Sequence, residues 1–287
     1  MKKKSLDLSK KIDKFFIDIF KTISLTADQY RIPFFVIGAT ARYILFEKGY
    51  GIKTGRATLD IDLGVKVSDW DLYRQLISGL VATGAFVSDR KNLQRLLYQK
   101  SFPVDVIPFG TIEEDDNSIL WPPDNDIKMS ILGFEDAYRA AFPVKLRKNP
   151  VLEINFTSLA GLTILKLISW HDDVSRRGRD AKDLLLLMKN YIDAGNQERF
   201  YNYHMDLFEK SDKDYELESA RLLGMDVANI LRPKTKKVIL DILNKETAGQ
   251  TRYKLARDMM GTGIFKKDSF EKILKFLQNF KSGVLKE

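Results

Sequence analysis

Apolar residues recur at helical spacing between residues 7 and 30, where Phe15, Phe16, Ile19, Phe20 and Ile23 form one stripe, and they predict an N-terminal helix that ends before Pro33. Phe34-Phe35-Val36-Ile37 predicts a short buried strand, Gly38-Ala39-Thr40 a turn, and Ala41–Lys48 a second helix. After the glycine-bearing connection Gly49–Gly55, the segment Ala57–Val67 changes period: Leu59, Ile61 and Leu63 alternate with Asp60 and Asp62, as in a strand. Ser68 is placed to cap a helix running through Leu80, with Asp69 and Asp71 in its first turn. Short strands are predicted at Phe86–Val87, Leu93–Gln99 and Val104–Ile107, the last starting after Pro103 and ended by Pro108-Phe109-Gly110. The Pro- and Asp-rich stretch from Glu113 to Asp126 reads as a long loop. Two further strands fall near Ala141–Leu146 and Val151–Phe156.

After Thr157 helical periodicity dominates, in Ser158–Trp170, Asp180–Asp193 and later segments, and Asp268 with Glu271 resembles a capping box opening a final helix. The pattern predicts an α+β protein: a mixed β-sheet domain with flanking helices over residues 1–156, then a helical domain over residues 157–287.

Composition narrows the chemistry. With 44% hydrophobic and 30% charged residues in 287, the chain has the make-up of a folded, water-soluble protein. No apolar run reaches the ~18 residues of a membrane span, and no signal-peptide core follows Met1-Lys2-Lys3-Lys4, so the expected location is the cytoplasm and no membrane partner is expected. The chain has no cysteine, which excludes disulfides, thiolate zinc sites and cysteine nucleophiles. Only His171 and His204 could supply imidazole, so catalysis is expected to rest on carboxylates, lysine and arginine. The net charge is +8, and Arg232–Lys286 holds 14 Lys/Arg against 5 Asp/Glu, a surface suited to a polyanion or simply to solvent.

Asp60 and Asp62, two positions apart on a predicted strand, point to the same face, where like charges repel unless a cation lies between them. An oxygen-only donor set suits Mg²⁺, with Mn²⁺ as the alternative ion. Asp105, acidic within the apolar run Val104–Ile107, would complete a cradle for two ions of the kind used in phosphoryl transfer. The same alternation also arises on any half-exposed strand. Upstream, the Gly38-Ala39-Thr40 turn between strand and helix offers backbone N–H groups to phosphate.

Taken together, Gly38-Ala39-Thr40-Ala41-Arg42, Arg56-x-Thr58-x-Asp60-Ile61-Asp62 and Val104-Asp105-Val106-Ile107-Pro108 resemble the DNA polymerase β-type nucleotidyltransferase superfamily, and within it the AbiEii-type toxins. Ala39 departs from the second glycine or serine of that pattern. The resemblance implies that Asp60 and Asp62 hold metal, that Asp105 joins them and activates the acceptor hydroxyl, and that Gly38, Ala39, Thr40, Arg42, Arg56 and Thr58 line the nucleotide site. Lys166, the sole charge in Leu159–Trp170, reads either as a lysine snorkelling to water or as a cation directed at phosphate. Asp180 and Asp183 lie one turn apart at the start of an apolar helix, where Asp180 would serve as N-cap. The family resemblance instead implies that Lys166, Asp180 and Asp183 serve the nucleotide.

The implied reaction moves an NMP from an NTP, with two Mg²⁺ ions, to an acceptor. RNA, including a tRNA end, suits the basic C-terminal region, and the family implies a toxin with a separate antitoxin. Two other readings are open at this point: transfer to a protein or small-molecule hydroxyl, and a catalytically inactive nucleic-acid-binding protein of the same fold. His171 and His204 are assigned no chemistry.

Overall fold

The computed structural model describes residues 5–55, 58–205, 214–260 and 269–286. The chain divides into two compact units, Met1–Ser158 and Leu159–Glu287. The fold is the expected mixture of a sheet unit and a helical unit.

In the first unit, β1 (Leu6–Asp7), β2 (Phe34–Ile37), β3 (Ile61–Val67), β4 (Phe86–Ser88), β5 (Arg95–Tyr98), β6 (Phe102–Gly110), β9 (Phe142–Lys148) and β10 (Val151–Phe156) form one mixed sheet in the order β1-β9-β10-β2-β3-β6-β5-β4. β3 lies near its middle, antiparallel to β2 and parallel to β6, and six of its seven residues are buried. Buried neighbours on both edges and both faces explain its near-continuous apolar run. Around it run α1 (Lys14–Gln29), α2 (Gly38–Tyr43), a π-helical turn (Ile44–Tyr50), α3 (Trp70–Ala82) and α4 (Phe134–Arg139). The apolar stripe of α1 places Ile19, Phe20 and Ile23 in the core, and Phe20 meets Phe156 of β10 edge to face.

Three local expectations change. β6 continues through both prolines. Val106 N–H bonds to Gln94 O, so alternate N–H positions, including 108, face the β5 side, and β5 itself begins at Arg95, opposite Asp105. Pro108 therefore stands where β5 has already ended and costs no ladder bond. The cap of α3 is Asp69, whose carboxylate accepts from Leu72 N at 2.8 Å, while the Ser68 hydroxyl donates to Asp69. The expected loop from Glu113 contains β7 (Ser118–Trp121), which pairs with β8 (Ile127–Ser130) in a separate hairpin. Trp121 anchors that hairpin by packing against Trp70 and Tyr73 of α3.

The second unit contains α5 (Leu159–Asp172), α6 (Arg177–Asn190), α7 (Gln197–Tyr203), α8 (Tyr215–Ile230), α9 (Pro233–Thr247), α10 (Lys254–Met260) and α11 (Phe270–Leu285). Pro233 opens α9 at a position where a missing N–H costs nothing. The cap of α11 is Ser269, which accepts from Lys272 N; the expected capping residue Asp268 lies outside the described residues. No described helix is long and apolar enough to cross a membrane.

α8 and α11 cross at two glycines. A Cβ on Gly224 would lie 2.1 Å from the Phe280 carbonyl oxygen, and one on Gly283 would lie 2.1 Å from that of Arg221. Leu222, Leu223, Phe276 and Phe280 fill the core around this crossing. Replacing Gly224 with Ala should therefore destabilise the protein by about 1–3 kcal/mol, as other overpacked cores do. Gly178→Ala, in α6 with nothing within 4 Å of the new methyl, should be neutral or stabilising by up to about 1 kcal/mol. Denaturant unfolding of the full chain followed by circular dichroism measures both.

Candidate active site

The pairing of four adjacent strands sets the site. Ile37 of β2 stands opposite Asp62 of β3, Asp62 opposite Asp105 of β6, and Asp105 opposite Arg95 of β5. Residues directly opposite one another in a sheet share a face, so Asp62, Asp105 and Arg95 form one transverse polar row. Asp62 is 8% exposed and Asp105 2% exposed. Arg95 grips Asp105 with both arms of its guanidinium: Nε donates to Oδ1 at 2.7 Å and Nη2 to Oδ2 at 2.8 Å. These charge-assisted bonds to Asp105, aided by the charges of Asp60 and Asp89, hold Arg95 more firmly protonated than an ordinary arginine.

Asp60 lies one residue before β3, outside the ladder, and is half-buried. The expectation that Asp60 and Asp62 share one strand is thus corrected: the strand begins at Ile61. Side-chain bonds from the preceding turn hold the segment instead. Thr40 Oγ1 donates to the Asp60 carbonyl at 2.5 Å, and Thr58 Oγ1 donates to the Ala39 carbonyl at 3.3 Å.

Gly38 closes the other side. It begins α2 with φ of +67°, and a Cβ there would lie 1.9 Å from Asp62 Oδ2 and 2.6 Å from its Cγ. Only glycine permits both the left-handed backbone and the carboxylate beside it. The Asp62 carboxylate is thus seated directly against the start of α2, which is six residues long and continues into the π-helical turn.

The other expected nucleotide residues of this unit divide. Thr40 is buried with its hydroxyl engaged, and Arg42 is buried with Nη1 directed at the Thr54 carbonyl at 3.4 Å. Both side chains serve the architecture of the turn rather than a solvent-facing surface. Glu47 accepts from Thr54 N and Oγ1, tying the Gly51–Gly55 connection to the π-helical turn. Arg56 lies outside the described residues.

A second polar cluster lies wholly within the helical unit. Lys166 of α5 pairs with Asp180 at 2.6 Å and Asp183 at 3.0 Å, both on α6, and Ser169 donates to the other oxygen of Asp180. Both aspartates are almost fully buried. Asp180 is therefore not the helix cap, since α6 starts at Arg177 and its cap is Arg176. Nor does the Lys166 ammonium simply reach for water; it neutralises two buried carboxylates, an arrangement that burial demands.

Arg95 escaped the sequence reading. Its role depends on register, and Leu93–Gln99 carries no motif that pairs position 95 with position 105.

A family model described as "Nucleotidyl transferase AbiEii toxin, Type IV TA system" matches residues 23–275. The chain belongs to the AbiEii nucleotidyltransferase family. It is accordingly a nucleotidyltransferase, and its substrate is an NTP. No curated protein matches it. Among solved structures it is similar to an antigenic nucleotidyltransferase-like protein from Paracoccidioides brasiliensis, at 14% identity over 67% of this chain and 89% of that one, TM-score 0.39. It is also similar to the antibiotic-resistance factor ANT(2'')-Ia, at 10% identity over 69% and 97% of the two chains, TM-score 0.35. A CCA-adding enzyme in complex with CTP matches at 17% identity over 92% of this chain and 66% of that one, TM-score 0.34.

Two outcomes follow for the AbiEii-type site. Gly38→Ala should cost about 1–3 kcal/mol of stability, the range for a strained backbone position, and should reduce nucleotidyl transfer more than Gly51→Ala, which meets no neighbour. Unfolding curves and transfer rates on the same preparations check this. The bonds from the Thr54 hydroxyl and amide lower the pKa of Glu47 below its ordinary 4.5. Its contribution is therefore complete above about pH 4.5 and is lost as the pH falls through the lower folded value. Glu47→Gln should be less stable than the wild type by about 1 kcal/mol at neutral pH, with the gap closing in acid; thermal melts across pH show the convergence.

Proposed function

We propose that this AbiEii-family enzyme transfers an NMP to an RNA acceptor in a Mg²⁺-dependent reaction, as the toxin of a pair with a separate antitoxin protein. The observation that carries the catalytic part is the Asp62 carboxylate seated against Gly38, with Asp60 one residue before the strand that carries Asp62. A donor set of two carboxylates fits Mg²⁺, which commonly takes one or two plus substrate phosphates. Among the described residues, no three His, Cys, Asp or Glu side chains are grouped so as to hold a metal ion. The fit is therefore to a site that the nucleotide's own phosphates complete. When bound, the ion would polarise the α-phosphate and stabilise the departing pyrophosphate.

The chain's own residues do the rest. Gly38 keeps the backbone at the start of α2 free of side-chain bulk, so a phosphate can approach its N–H groups. Thr40 and Thr58 fix the Asp60 segment against that turn, so that the acidic pair is presented in one arrangement. Such positioning matters because phosphoryl transfer depends mainly on alignment and charge stabilisation. Lys166 is the helical unit's candidate for nucleotide phosphate, its charge already shared between Asp180 and Asp183.

RNA is favoured as acceptor by the excess of 14 Lys/Arg over 5 Asp/Glu in Arg232–Lys286. α9 presents Lys237 and Lys245 as exposed side chains. Cations on such a surface release counterions from a polyanion, and binding through them weakens steeply with salt. The antitoxin belongs to the family description, and Mg²⁺ to the chemistry of the donor set.

The test is incubation with each α-³²P-labelled NTP, Mg²⁺ and total RNA, comparing wild type with Asp62→Ala. Label should appear on RNA with the wild type and fall by at least about a hundredfold in the variant, the scale of losing a charge-stabilising group. Label on protein or a small molecule instead would overturn the RNA acceptor. No incorporation from any NTP would overturn the transfer reading for these acceptors.

A further inference from the structure

One edge of the Arg95 guanidinium faces Asp105, and the other is free. We infer that Arg95 binds a phosphate of the acceptor, the one that precedes the nucleoside bearing the attacking hydroxyl. It thereby selects the end of a nucleotide chain over a protein or small-molecule hydroxyl. The inference rests on the proposed RNA acceptor, with the phosphates of the NTP at Gly38.

The order of groups across the sheet carries it. Gly38 follows Ile37, and Ile37, Asp62, Asp105 and Arg95 stand opposite one another on β2, β3, β6 and β5. In phosphoryl transfer the attacking and leaving oxygens lie roughly in line through the phosphorus. With the triphosphate at Gly38, pyrophosphate departs on that side and the acceptor oxygen arrives from the side of β6 and β5. That oxygen bonds to the α-phosphorus as the oxygen bridging to the β-phosphate leaves, and the hydroxyl proton goes to solvent. The part of the acceptor behind the hydroxyl then lies over β5. Neighbouring strands are about 4.8 Å apart, a separation comparable with that between the hydroxyl of a terminal nucleotide and its own phosphate.

The group that awaits it on β5 is a cation with an unused fork. A guanidinium carries its N–H donors in one plane, along a side edge and an end edge. Nε and Nη2 spend the side edge on Asp105, at 2.7 and 2.8 Å, and so hold the plane in place. Among the described residues Arg95 has no other hydrogen-bond partner, which leaves Nη1 and the second N–H of Nη2 as the end edge. A fork of this kind matches a phosphate as it does a carboxylate. The Arg95 side chain is 27% exposed against 3% for Asp105, so the cation lies on the accessible side of the pair. The next row on the same face is Leu97 opposite Pro103, both half-buried and uncharged. It offers a ribose or base an apolar shelf beside the cation. A serine or tyrosine side chain brings no phosphate to the end edge of Arg95.

The test uses the RNA that takes label from the full-length wild type. Its 3′-terminal fragment is synthesised in two forms, one natural and one whose last phosphodiester is a neutral methylphosphonate, and transfer of labelled NMP to each is followed. With the wild type, the methylphosphonate should lower kcat/KM for the fragment by about 10–100-fold, the scale of hydrogen bonds to a charged group. The KM for the NTP should stay within about twofold. Arg95→Gln should lose a similar factor on the natural fragment, and the methylphosphonate should then cost it no more than about twofold further. If Arg95 serves only to neutralise Asp105, the two penalties are independent and multiply. That result, or equal use of both fragments by the wild type, would overturn the inference and leave the RNA acceptor intact. Because Arg95→Gln strips Asp105 of its cation, its folding is checked by circular dichroism, and the wild-type comparison of the two fragments decides without it. Label on no RNA at all would overturn the RNA reading and this inference together.

Discussion

A carboxylate pressed against a glycine organises the first unit. The antiparallel pairing of β2 with β3 brings Ile37 opposite Asp62, and the next residue after Ile37 must then turn into α2 without a side chain. With φ of +67° and Asp62 Oδ2 occupying the place of a Cβ, position 38 is closed to every residue but glycine. That one contact joins the sheet to the helix, orients Asp62 and fixes where the Asp60 segment enters the strand. The hydroxyls of Thr40 and Thr58 then lace the entry to the turn.

Charge is the second constraint. Placing Asp62 and Asp105 opposite each other on parallel strands, both nearly buried, is unfavourable unless positive charge is near. Arg95 provides it from within the sheet. The helical unit solves the same problem with another residue type: Lys166 stands between Asp180 and Asp183 on the neighbouring helix. Asp105 in one unit and Asp180 and Asp183 in the other are thus each compensated by a cation from an adjacent element. The two solutions differ in kind, because arginine locks one carboxylate in a planar fork whereas a lysine ammonium can serve two at once.

Much of this was legible in the residues. The apolar alternation from Ile61 through Asp62, the strand at Phe34–Ile37 and the change to helical period after Thr157 reflect local patterning that the fold preserves, whereas Asp60 falls just before the strand. The glycine at position 38 stood out for the same reason, since it falls between an apolar strand and a helix. What escaped was non-local. Whether a strand continues through Pro108 depends on where its neighbour ends, and the partner of Asp105 depends on the register of β5. The hairpin of β7 and β8 hid behind Pro122, Pro123 and a dense set of acidic residues, because its anchor, Trp121 against Trp70 and Tyr73, is a tertiary contact. Asp180 looked like a helix cap because only its position along the chain was visible, not the lysine on the adjacent helix.

Asp60 and Asp62, the latter seated at Gly38, are proposed as the seat of cation and nucleotide. The most direct measurement is anomalous X-ray diffraction from crystals of the AbiEii-family protein soaked with Mn²⁺ and a non-hydrolysable NTP. A manganese peak coordinated by Asp60 and Asp62 is expected, with the triphosphate beside the backbone of Gly38 and Ala39. A well-occupied manganese–nucleotide complex bound elsewhere, with Asp60 and Asp62 making no contact to it, would contradict that assignment.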